Sequence, residues 1–248
     1  MAGYYPIQAA AEVADEAINF DNNVFAGIRI TDGIEFLITE TTVSTWVVMG
    51  LLILIGIIVR IKSRKWDFSK KPAGIQNFLE MAIDAWEKFY GSNTSPTVKY
   101  LSSWFFILIV FIFLSNILGI TGLRPPTADW GMTFPLALTT FFLIHFAGIR
   151  HRPKGYLKGI FLEPSFVFAP LNVIGELARP ISLSFRLFGN ILGGMVLMSL
   201  LYRLAPMVMR FVIPVPLHMF FDVAVGALQA VIFVMLSFTF VSLASSEN

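Results

Sequence analysis

The segment Arg179-Pro-Ile-Ser-Leu-Ser-Phe-Arg186-Leu-Phe-Gly-Asn190 decides how the rest of the chain is read. It carries two arginines and an asparagine, and from Leu187 to Tyr202 no charge follows. An arginine at bilayer depth costs about 2.5–3.5 kcal/mol on insertion scales, so such residues usually mark an ion or substrate pathway. The bland alternative is an arginine at a helix end whose head snorkels to the membrane surface.

Composition makes bilayer depth the right frame. The 248 residues are 56% hydrophobic and only 14% charged, against about 25% charged in a soluble domain. The mean hydropathy is +0.73. Such a chain is read as several membrane spans rather than as soluble domains. It has no Cys, which excludes disulfides and thiolate metal sites. A net charge of +2 leaves no electrostatic footprint for nucleic acid. His145, His151 and His218 have no ligand spacing to one another. With no phosphate-binding loop and no nucleophile elbow, neither a cofactor nor ATP chemistry is expected in this chain.

The charges set a topology. Residues 1–40 are acidic and weakly apolar, with a single Arg29. They are read as a non-cytoplasmic segment, partly helical around Ala9–Ile18. The uncharged run that follows gives a transmembrane helix over 41–61. Arg60, Lys62, Arg64, Lys65, Lys70 and Lys71 then mark the cytoplasmic side. Over 72–90, Ile75, Phe78, Leu79, Ala82, Ile83, Trp86 and Phe89 recur at helical spacing with Glu80, Asp84 and Glu87 between them. That predicts an amphipathic helix at the cytoplasmic surface, or one packed on a soluble partner. Residues 100–149 form a transmembrane hairpin turning at Arg124-Pro-Pro-Thr-Ala-Asp129, and Arg150 to Lys158 is again basic and cytoplasmic. Residues 160–246 form a long hairpin whose start is broken by Pro164 and Pro170. Its first helix, Leu171 to Arg203, persists despite Pro180 and is too long to cross upright, so it tilts steeply. The second runs from about Pro216 to Ala244, leaving the C-terminus inside. The fold class is therefore all-α integral membrane, with transmembrane helices, one amphipathic surface helix and a steeply tilted C-terminal helical hairpin.

Polar residues inside this hairpin form two stripes. Asn172, Glu176, Arg179, Arg186 and Asn190 share one helical face. Asp222, Gly226, Gln229 and Ser237 share another. Polar groups are expensive in lipid, so both stripes are expected to face a cavity or a partner protein. A turn near Met209 would set Arg186 level with Ile232, Asn190 near Gln229 and Asp222 near Met195. Gly189, Gly193, Gly194 and Gly226 would allow close backbone approach. The layout is that of two offset half-pathways separated by a fixed positive charge. A polar seam that only holds two helices together is the structural alternative.

Pro180 to Asn190, followed by Leu228-Gln229-Ala-Val-Ile-Phe233, resembles the subunit a family of F-type ATP synthases. So do Pro125-Pro-Thr-Ala-Asp129 and the Pro72–Gln76 segment. The resemblance implies a stator beside a rotating ring of c subunits, each carrying a membrane-embedded carboxylate. Peripheral-stalk b subunits, other synthase subunits and membrane lipid would be its remaining partners. Arg186 matches the family's essential arginine, which attracts the deprotonated carboxylate and blocks leakage. Asn190 and Gln229 match the polar residues around it, and Glu176 and Asn172 fall near the cytoplasmic pathway. Many members carry an acid where this chain has Met195, and a histidine or acid where it has Asp222. Asp222 alone is therefore expected to serve the outer half-channel, with Asp129 at its mouth. The ion is a proton by default, with sodium as the alternative. The acidic N-terminus and the lack of a transit peptide favour a bacterial plasma membrane. A stand-alone secondary transporter would need an inverted repeat, and no second copy of the Arg186–Asn190 pattern occurs. A purely structural anchor would not need Arg186, Gln229 and Asp222 at depth.

Overall fold

The computed structural model describes residues 24–31, 34–64, 66, 74–162, 166–204, 206 and 213–246. The helix expected around Ala9–Ile18, Pro72, Pro164 and the turn at Met209 lie outside these. Among the described residues, five helices are long and apolar enough to cross a membrane.

An antiparallel hairpin precedes the first span, with β1 (Val24–Thr31) paired to β2 (Ile34–Thr39) and Ile28 opposite Phe36. It was not anticipated, although alternating apolar residues flank the turn dipeptide Asp32-Gly33. α1 (Glu40–Ser63) starts at Thr39, whose hydroxyl accepts from the Thr42 amide. Glu40 in its first turn and Arg60 and Lys62 in its last complement the helix dipole. Its buried residues are Thr41, Ser44, Thr45 and Val48, whereas Ile53, Leu54 and Ile58 are exposed. Small polar side chains inward and large apolar ones outward is the pattern of a helix whose solvent is lipid.

α2 (Ile75–Asn93) enters at Gly74, whose φ of +57° suits only glycine. Ile75, Phe78 and Met81 are exposed, while Trp86 and Tyr90 are buried. Only its last turns join the core. Trp86 Nε1 donates to the Ser102 carbonyl and hydroxyl, and Tyr90 donates to the Val98 carbonyl at 2.8 Å. Burial pushes the Tyr90 hydroxyl up to about 12. α3 (Ser102–Ile117) and α4 (Trp130–His151) are joined by a buried corner. Asp129 caps α4, accepting from the Gly131 amide at 2.8 Å and from the Thr41 hydroxyl at 2.9 Å. Part of the basic stretch after α4 is itself helical, as α5 (Pro153–Leu162).

α6 (Ala169–Leu204) is one helix of 36 residues, about 54 Å long. Pro170 does not interrupt it. It occupies the first turn, where no backbone donor is needed. α7 (Pro214–Ser245) returns, and its segment Met219–Val225 is π-helical. The core lies where α3, α4, α6 and α7 meet, around Phe105, Ile112, Ile144, Leu187, Phe233 and Phe238. Phe238 is met edge-on by Phe89, Tyr90 and Phe105. The Ser95 amide donates to Ser242 Oγ at 2.8 Å, tying the start of α3 to the end of α7.

Candidate functional site

α6 sorts its residues by face. Leu183, Leu187, Ile191, Gly194 and Met198 are buried against the rest of the molecule. Arg186, Gly189, Asn190 and Gly193 are exposed on the opposite face. A Cβ added at Gly189 or Gly193 would meet nothing within 4 Å. These two glycines therefore leave an open strip rather than a close contact within the chain. The approaches are at Gly194, where a Cβ would lie in contact with the Phe221 side chain at 3.4 Å, and at Gly226, where a Cβ would lie 2.8 Å from Asn116 Cβ. The Gly194–Phe221 contact sets the hairpin register within two residues of the expected Met195–Asp222 level.

Arg186 stands midway along α6, so it is not a snorkelling residue at a helix end. The Trp130 ring stacks on its neighbour Phe185, and the Thr133 and Ser184 hydroxyls meet at 3.3 Å, which fixes α6 against α4. Among the described residues, the side chains of Arg186, Asn190 and Gln229 form no hydrogen bond or ion pair with one another or with other groups. Asn190 is exposed, whereas Gln229 is only 4% exposed, with its Nε2 buried and unpaired. The amide pair expected from the sequence is therefore not hydrogen-bonded. A buried donor without a partner costs about 1–3 kcal/mol, and such groups concentrate at functional sites.

Towards one end of α6 lies a cavity of about 810 Å³, lined by Arg152, Tyr156, Lys158, Asn172, Glu176 and Arg179 among others. Glu176 Oε2 accepts from Arg179 Nη1 at 2.7 Å, and the Arg179 guanidinium sits 4.9 Å from the centre of the Phe240 ring. Asn172 donates to the Ile160 carbonyl at 3.2 Å. Arg152 donates to the Ser246 carbonyl. The Tyr156 ring packs on Gly148, where any Cβ would collide with it. Burial and the nearby Glu176 carboxylate push the Tyr156 hydroxyl up to about 12, opposed in part by Arg179, and the buried hydroxyl has no hydrogen-bond partner among the described residues.

Towards the other end, Asp222 sits within the π-helical segment of α7. Its carboxyl borders Gly119 beside Pro125, so it faces the corner that Asp129 closes. The His218 Nδ1 lies 2.7 Å from Asp222 Oδ2, and the Tyr202 hydroxyl 3.5 Å from His218 Nε2. His218 was overlooked in the sequence because it was weighed only as a metal ligand. Its i, i+4 offset from Asp222 was the available signal. The rest of the α7 stripe is internal. The Gly226 carbonyl accepts from Asn116 Nδ2 at 2.9 Å, Thr127 donates to Asn116 Oδ1 at 2.6 Å, and Ser237 donates to its own helix at the Phe233 carbonyl. The expectation that the whole stripe faces a cavity or partner is thus corrected, because Gly226 and Ser237 form a packing seam. Among the described residues, no three His, Asp or Glu side chains converge to hold a metal.

The family model for the ATP synthase A chain matches residues 42–242. The chain belongs to this family. It is 37% identical over 210 residues to ATP synthase subunit a of Moorella thermoacetica, covering 83% of this chain and 90% of the relative. Subunit a of Desulfosudis oleivorans is 36% identical over 231 residues, 90% of each chain. A sodium ion specific subunit a, from Propionigenium modestum, is 34% identical over 223 residues, 83% of this chain and 74% of the relative. As a member of the family, the chain is a multi-pass membrane protein and an ion-translocating stator subunit of an F-type ATP synthase, working with other subunits of that complex.

Proposed function

We propose that ions cross by two half-pathways that open on opposite sides of the membrane and meet at Arg186. The observation that carries this reading is the presentation of Arg186 on an open, glycine-smoothed strip, midway along an apolar helix and without an ion-pair partner among the described residues. A fixed cation so exposed at membrane depth requires an anionic group from a partner. The carboxylates of a ring of c subunits supply one. At an effective dielectric near 20, charges 4 Å apart attract by about 4 kcal/mol, enough to displace a cation from a carboxylate without locking the rotor. The same charge repels an ion moving straight from one half-pathway to the other.

The cavity at Glu176 and Asn172 is the inner half-pathway, and Asp222 serves the outer one with Asp129 in the adjoining corner. Asn190 and Gln229 supply amide groups beside the arginine. The basic residues Arg60, Lys62 and Arg64, and those from Arg150 to Lys158, set the cytoplasmic side, leaving the N-terminus outside and the C-terminus inside. The membrane is a bacterial plasma membrane, and peripheral-stalk b subunits complete the stator. The transported ion is a proton, with sodium as the alternative suggested by the sodium-specific relative. ATP-driven uptake into liposomes holding the whole complex tests this. Arg186→Ala abolishes uptake while the soluble head still hydrolyses ATP, and normal pumping in that variant would refute the reading. Uptake that collapses with a protonophore and needs no sodium identifies protons. Sodium uptake enhanced by the protonophore identifies sodium.

A further inference from the structure

The outer half-pathway holds a titratable group that the sequence reading did not use. We propose that His218 is the proton-collecting residue of that pathway and passes protons to Asp222. The inference rests on the two-half-pathway reading and adds a residue and an ion to it. The His218 side chain is 33% exposed and that of Asp222 19%. The exposed Tyr202 meets the imidazole at Nε2, and the more buried Asp222 meets it at Nδ1. The geometry is that of a one-sided port. A proton binds at Nε2, the proton on Nδ1 passes to Asp222 Oδ2, and the ring remains neutral with its proton on Nε2. The tautomer resets by exchange through water, which takes the proton from Nε2 and returns one to Nδ1.

Imidazole is the side chain whose ordinary range lies nearest neutral pH, at about 6.5. A lone carboxylic acid at the port would collect protons efficiently only from more acidic solution. The π-helical turn bears on this directly, since it starts at the residue after His218 and contains Asp222. The other ionisable groups of the surrounding elements are Arg124 and Asp129 in the corner and Arg203 after Tyr202. None replaces an acceptor that contacts Asp222 on one side and the surface on the other.

The test is proton-driven ATP synthesis by the whole complex in liposomes, measured against the pH of the proton-source side. His218→Asn keeps a hydrogen-bond donor for Asp222 but cannot collect a proton. It lowers the rate roughly a hundredfold, the lower end of the range for a lost proton-transfer group, and moves the alkaline limb of the profile to more acidic pH. In His218→Ala, added imidazole restores part of the rate. Wild-type rate and profile in His218→Asn overturn the inference, as does failure of both variants to assemble, which would make His218 structural. Arg186→Ala run alongside separates the two claims. If it is inactive while His218→Asn is normal, only the role of His218 falls. If Arg186→Ala pumps normally, the half-pathway reading falls as well.

Discussion

Gly193 and Gly226 are the same residue type under opposite demands. A side chain at Gly226 would be driven into Asn116, so Gly226→Ala is expected to destabilise by about 1–3 kcal/mol, the usual cost of overpacking. A side chain at Gly193 meets open space, so Gly193→Leu should leave the thermal stability of the isolated chain within about 0.5 kcal/mol. In the assembled complex the same substitution should block ATP-driven pumping, because it fills the strip beside Arg186. Scanning calorimetry of the purified chain and uptake by the complex separate the two effects. Asp222→Asn removes the acceptor of the outer half-pathway and should lower pumping by roughly a hundredfold. Arg186, Asp222, Gln229 and Glu176 stand out in the sequence because charge and amide groups in an apolar run are conspicuous. Which glycines face inward is not legible there, because helical spacing groups residues into a stripe without saying what the stripe faces.

At the level of elements, the main surprise is the π-helical turn, Met219–Val225. It has no sequence signature, since apolar residues continue through it at nearly helical spacing. Its lower boundary is held by Asn116, which bridges the Gly226 carbonyl and the Thr127 hydroxyl with no exposed surface. Asn116→Leu strands the Thr127 hydroxyl in the interior and should cost about 1–3 kcal/mol, read as a lower unfolding midpoint of the complex. The spans were legible from hydropathy and the basic clusters between them. The β-hairpin is not legible from the acidic, weakly apolar composition of its segment, and only the alternation of apolar residues carries its signal. Pro180 was correctly tolerated within α6, where it is buried and its neighbours Leu183 and Leu187 pack into the core.

Across the whole molecule, one end is tied together by polar contacts from α2, α3 and α7, and the lipid-facing side is left apolar. Tyr90 belongs to the first group. Its pKa rises from 10.0 to about 12 because the charged form is poorly solvated there. The folded state holds this proton more tightly, so the stabilisation is complete below pH 10 and is lost as pH rises through about 12. Tyr90→Phe should cost about 1 kcal/mol at neutral pH, for the lost bond to Val98, and should reduce the alkaline loss of stability. Chemical denaturation at pH 7 and pH 11 tests both parts.

The length of α6 has a geometric consequence. A rod about 54 Å long crossing a hydrocarbon slab about 30 Å thick extends about 45 Å along the membrane plane. Helices are about 10 Å across, so in the proposed assembly this one rod lies against about four neighbouring columns of the rotor. An ionised rotor carboxylate leaving Arg186 in either direction would stay against protein for the next step of the turn. In that proposed assembly such a tilt would widen the zone in which a charged rotor site is sheltered from oil.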